Sequence, residues 1–152
     1  MTNPTSRPVI VVGVDGSEDS IQALRWAADH ARLIGGEVHA VTGWEVPATI
    51  MVVPTYTTAD YARDAEEQLH RSVRQALGSN PDVPVVTRLI QKHPAHALVI
   101  EAEGAEMLVL GRHGRGELPG LHLGTVASYC IHHAPCPVVL VRRQKERGSR
   151  HS

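Results

Sequence analysis

A glycine-rich stretch, Gly111-Arg112-His113-Gly114, is followed after nine residues by Gly124-Thr125. Glycine lets backbone N–H groups approach an anion with no Cβ in the way. A helix starting at Gly124-Thr125 would present unpaired N–H groups and the positive end of its dipole. The Thr125 hydroxyl can donate to a phosphate oxygen or help hold a metal ion. Together these parts can cradle a polyphosphate. The plainer alternative is a flexible loop with a glycine at a helix cap, because short glycine patterns are weak signals. Placement after a buried-strand pattern and before a helical one adds weight to the cradle, and both readings stay open. The spacing is not that of a Walker A loop, which needs Gly-x-x-x-x-Gly-Lys-Ser/Thr. The first turn, Gly13-Val14-Asp15-Gly16-Ser17, is a poor match to the dinucleotide fingerprint.

The elements that must position this loop alternate along the chain. Val9-Ile10-Val11-Val12 is a short apolar, β-branched run, as a strand buried on both faces requires. Ser17 suits a helix N-cap, and Glu18 and Asp19 suit the positive end of the helix dipole. Ile21, Leu24, Ala28 and Ala31 share one helical face, and Gly35-Gly36 stops the helix. Val38 to Thr42 reads as a second strand ending at Gly43. Trp44 to Thr57 has no clean period and reads as a long loop. Ala62, Ala65, Leu69, Val73 and Leu77 keep helical spacing from Thr58 to the stop at Gly78. Val83 to Ile90 reads as a third strand, interrupted by Pro84 and therefore suited to a sheet edge. Pro94 opens a short helix that ends at Gly104. Met107 to Leu110 is a fourth strand, Thr125 to about His133 a fourth helix, and Val138 to Val141 a fifth strand. Alternating strands and helices predict one parallel sheet covered on both faces. Ligands in such sheets sit beyond the carboxyl ends of the strands, where strand order reverses. With ligand-competent residues in the first and fourth loops, the expected order is 3-2-1-4-5, with the site between strands one and four.

Composition narrows the function classes. The chain has 152 residues, 42% apolar and 20% charged, which suits one globular domain. Fifteen basic against sixteen acidic residues argue against a general nucleic-acid coat. Phenylalanine is absent and aromatics are 3%, so a stacking platform for single strands is not expected. Charge is uneven: residues 1–76 carry 6 basic and 10 acidic side chains, and the remainder 9 and 6. No apolar run approaches a membrane span, and Met1-Thr2-Asn3-Pro4 lacks signal-peptide character. Cys130 and Cys136 make no disulfide framework or Cys-x-x-Cys motif. A cytoplasmic protein without membrane or nucleic-acid partners is expected. Ten histidines invite a metal reading, but His132-His133 are adjacent, point to different helix faces and lack partners at ligand spacing, and Pro94 disturbs the three-residue spacing of His93 and His96.

The complete set Gly111, Gly114, Gly124 and Thr125 is Gly-x2-Gly-x9-Gly-Ser/Thr. It resembles the nucleotide-loop motif of the ATP-binding branch of the universal stress protein family. Val9 to Ser17 is similar to that family's first strand and loop, and His133 to Val141 to its last helix-to-strand passage. His93-Pro94-Ala95 resembles a short polar-Pro-Ala helix start. The resemblance covers about residues 8–143, the expected domain, with tails at 1–7 and 144–152. It implies a Rossmann-like, adenine nucleotide alpha hydrolase-like fold. It also implies roles: Asp15 near ribose and base, Gly13 and Val14 on the adjoining wall, and Gly43 as a backbone contact to adenine. Gly111 and Gly114 would close over ribose and phosphates, and Thr125 and the Val126 N–H would face the outer phosphates. Arg112 and Arg115 carry charge that suits phosphate, although exposed arginines are usually just solvated. His113 is a further candidate phosphate or ribose contact. ATP with Mg2+ alongside is the implied ligand, and a homodimer through Val138 to Val141 the implied assembly. The function expected is a nucleotide-responsive regulator in stress response or survival. The alternatives are a slow ATPase, with Asp15, His113 or Glu117 positioning water, and a dimeric scaffold that leaves the loop unused.

Overall fold

The computed structural model describes residues 6–46, 56–113 and 124–142. Among them are five strands, β1 (Val9–Gly13), β2 (Glu37–Gly43), β3 (Val85–Ile90), β4 (Met107–Gly111) and β5 (Val138–Val141). Four helices alternate with them: α1 (Glu18–Ile34), α2 (Thr58–Leu77), α3 (Pro94–Glu101) and α4 (Thr125–His133). All strand pairs are parallel, and the order is β3-β2-β1-β4-β5, as expected.

Period-two alternation explains the two cores. Ile10 and Val12 of β1, Val38 and Ala40 of β2 and Val109 of β4 pack under Leu24, Ala27 and Ala28 of α1 and Leu69 of α2. Val11, Val41, Leu108 and Leu110 point the other way, against Leu98 of α3 and Ala127 and Cys130 of α4. Each fully buried Leu or Val contributes roughly 1.5–3 kcal/mol from apolar burial. Cys130 belongs to this second core, and burial pushes its thiol up to about 11.

Helix ends follow local chemistry. Ser17 caps α1 by accepting from the Ser20 N–H at 3.1 Å, and Gly35 ends it in the left-handed region at φ 69°. Thr57 and Asp60 form a reciprocal capping box at α2. The third strand starts at Val85 rather than the expected Val83. Pro84 has no N–H to donate, yet its carbonyl still accepts from Val38 N–H at 2.9 Å. β2 gains one residue at each end, Glu37 and Gly43, because Glu37 N–H bonds Pro8 O and Gly43 stays in register with Ile90. Residues 47–55 of the expected long loop lie outside the described residues. No helix among the described residues is long and apolar enough to cross a membrane.

Candidate functional site

The strand order reverses between β1 and β4, and a cavity of about 250 Å³ opens at their carboxyl ends. That is just under the range of roughly 300–1,000 Å³ usual for small-molecule pockets. Val14, Val41, Leu98, Leu110, Val126 and Ala127 supply apolar walls. Asp15, Ser17, Ser20, His113 and Thr125 supply polar groups.

The first loop is braced against the end of β2. Val14 N–H donates to Val41 O at 2.9 Å, and the Thr42 hydroxyl donates to Val14 O at 2.8 Å. Asp15 Oδ1 accepts from Ser17 N–H at 2.9 Å, which fixes the carboxylate at the cavity edge. Gly16, at φ 83°, takes a conformation that favours glycine.

Three glycines let the walls close. A Cβ on Gly13 would lie 2.7 Å from Leu110 Cδ2 and 2.9 Å from Leu98 Cδ1. On Gly43 it would lie 2.6 Å from Pro94 Cα, and on Gly111 2.6 Å from Asp19 Cβ. Gly43 thus brings the start of α3 against the end of β2. His93 caps that helix, its Nδ1 accepting from Ala95 N–H at 3.2 Å.

The root of the fourth loop is tied at several points. Arg112 N–H donates to Val141 O at 3.2 Å, and Gly124 N–H to Arg112 O at 2.9 Å. His113 N–H donates to Asp19 Oδ2 at 3.1 Å. Gly124 caps α4 without laying a side chain over its first-turn N–H groups, and Thr125 and Val126 follow it into the cavity wall.

Of the residues singled out in sequence, the structure brings together Gly13, Val14, Asp15, Gly43, Gly111, His113, Gly124, Thr125 and Val126. Arg112 sits at the loop root and is not among the described lining residues. Gly114, Arg115 and Glu117 lie outside the described residues. Sequence reasoning passed over Ser20, a polar residue in the first turn of α1, and Val41 and Leu98, whose strand or helical periodicity marks them only as packing positions. It also read Asp19 as a helix-dipole residue alone. Among the described residues no group of three His, Cys, Asp or Glu could hold a metal ion.

The fold and cleft define a doubly wound α/β protein with an open cavity at its switch point. A family model described as the universal stress protein family matches residues 7–142, and the chain belongs to that family. A universal stress protein of Mycobacterium tuberculosis is 34% identical over 141 residues, covering 93% of this chain and 47% of the relative. The chain therefore spans about half the length of the curated relatives it matches. Universal stress protein UspA from Lactobacillus plantarum has a similar structure, with TM-score 0.71, 20% identity and coverage of 91% of this chain and 99% of that one. A universal stress protein from Archaeoglobus fulgidus in complex with dAMP superimposes with TM-score 0.59, 24% identity and coverage of 89% and 97%. The structure of a universal stress protein in complex with cAMP gives TM-score 0.60, 22% identity and coverage of 92% and 100%.

Proposed function

We propose that this chain binds an adenine nucleotide, ATP in particular, between β1 and β4, as a nucleotide-responsive regulator of stress response or survival in the cytoplasm. One observation carries the reading: the first turn of α4 opens onto the same cavity as Asp15 and the glycine-rich loop root. A helix N-terminus with no side-chain cap is a ready anion site. The apolar walls beside it suit a base, and Asp15 suits a ribose hydroxyl. The dAMP and cAMP complexes of the relatives support an adenine ligand.

In this reading Gly13, Val14 and Gly43 border the base. Gly111, His113, Gly124, Thr125 and Val126 border the phosphates, and Arg112, Gly114 and Arg115 belong to the same loop. Magnesium would accompany ATP, neutralising phosphate charge, and the Thr125 hydroxyl and Asp15 carboxylate are oxygen donors of the type it takes. The chain acts as a homodimer through β5. Calorimetric titration with ATP, AMP and adenosine, with magnesium and salt fixed, tests the reading. ATP is expected to bind, and Thr125→Ala to weaken it by about tenfold, the scale of one hydrogen bond to a charged group. A folded protein that takes up none of the three overturns the reading. Phosphate release from bound ATP would move it from binder to slow ATPase.

A further inference from the structure

Asp19 lies in the first turn of α1 and is only 5% exposed. Burying an ionised carboxylate is costly unless hydrogen bonds replace its water shell. One such bond comes from 94 residues away, the His113 backbone N–H at 3.1 Å from Asp19 Oδ2. The His113 ring stands beside the same oxygen, with Nδ1 at 3.8 Å. The Asp19 main chain is as close to this strand end. A Cβ on Gly111 would lie 2.8 Å from the Asp19 carbonyl carbon and 2.9 Å from its oxygen. At Gly111, then, Asp19 of α1 packs directly on the β4 backbone, its Cβ also 2.6 Å from that position.

The neighbouring bonds give this contact its leverage. Gly124 N–H donates to Arg112 O at 2.9 Å, so the chain leaves at His113 and returns at Gly124 through one point. Asp19 grips the first residue of that excursion, and His113 lines the cavity. Resting on the nucleotide-binding reading, we propose that Asp19 is a positioning residue for the phosphate side of the site. Its carboxylate fixes the His113 amide, and through it the root of the glycine-rich loop. Charge alone predicts the opposite sign, because a carboxylate near phosphate repels it. An anchor strengthens ATP binding, whereas a simple repulsive charge weakens it.

Asp19→Ala removes the acceptor, whereas Asp19→Asn keeps a carbonyl oxygen and removes the charge. Asp19→Ala is expected to weaken ATP binding about tenfold and to leave adenosine binding unchanged, since adenosine has no phosphate to meet the loop. Asp19→Asn is expected to retain most of the ATP affinity. In the ligand-free proteins, amide hydrogen exchange at His113 should speed up in Asp19→Ala and stay near wild type in Asp19→Asn. Tighter ATP binding in both variants would make Asp19 a repulsive charge and overturn the proposal. Equal losses of ATP and adenosine affinity would overturn it too, as would unchanged exchange at His113. A wild type that binds no adenine nucleotide, with exchange at His113 still responding to Asp19→Ala, would overturn the nucleotide reading while upholding Asp19 as the loop anchor.

Discussion

Single atoms decide much at this cleft, and the absent Cβ of Gly111 is the sharpest case. The resemblance assigns Gly111 to close approach of the backbone to a ligand. The structure adds a packing role, because the missing Cβ faces Asp19 main-chain atoms at 2.8 and 2.9 Å. Backbone cannot swing aside as the end of a long side chain can. Gly111→Ala should therefore destabilise the ligand-free protein by roughly 1–3 kcal/mol, the usual cost of overpacking, measured by urea unfolding. Gly35→Ala makes an informative contrast. Nothing lies within 4 Å of its added Cβ, but φ is +69°, so the cost is backbone strain. It should amount to about 1–2 kcal/mol without any change in nucleotide affinity. A result in which Gly111→Ala keeps full stability would mean that α1 and β4 can separate at no cost.

At the scale of elements, α2 shows how a local motif sets a helix start. The Thr57 hydroxyl accepts from Asp60 N–H at 3.3 Å, and Asp60 Oδ2 accepts from Thr57 N–H at 2.8 Å. Thr57→Ala should cost about 1 kcal/mol, read from chemical denaturation at neutral pH. The Asp60 carboxyl is held below its ordinary range, first by the Thr57 backbone bond and then by the Thr57 hydroxyl, with Arg63 adding attraction. A depressed folded-state value means the contribution is present above the unfolded carboxylate range and lost as pH falls through the lower folded value. Asp60→Asn should therefore flatten the acid limb of stability against pH, below about pH 4, the ordinary Asp value. An acid limb of unchanged steepness in that variant would show that other carboxylates govern it.

For the whole molecule, the outer edge of β5, the last strand of the sheet among the described residues, matters most. The bonds Leu108 N–H to Pro137 O and Arg112 N–H to Val141 O frame the β4–β5 ladder. With Leu108 opposite Val138 and Leu110 opposite Leu140, this parallel pattern turns the Val138 and Leu140 backbone groups to the outer edge. An apolar edge of this kind invites a further strand. Light scattering is expected to report a dimer for the wild type. Leu140→Pro removes an outward N–H and should shift the mass to a monomer with far-UV circular dichroism retained. Val139→Pro instead strikes the ladder to β4 and should lose folded structure. A wild type that is monomeric at micromolar concentration refutes pairing through β5.

Much of this protein was legible in one dimension because its signals are local. Apolar runs such as Val9 to Val12, the cap at Ser17, and stops such as Gly35 and Gly78 act within a few residues of themselves. Alternation of strands and helices then left few parallel topologies, and the glycine spacing marked the loop after β4. Edges were harder: Pro84 could be read as an interruption, but only pairing with β2 shows its carbonyl in the ladder and the strand beginning at Val85. Asp19 was not legible as a loop anchor, because an acid in a first helical turn looks the same whether it faces water or a backbone amide 94 residues away. Val41 and Leu98 likewise read as strand and helix packing positions, and Ser20 as a polar first-turn residue, until the sheet order set their flanks at one cleft. Local propensity specifies elements. The meeting of β1, β4 and α1 depends on sheet order and close packing, which exist only once the chain has folded.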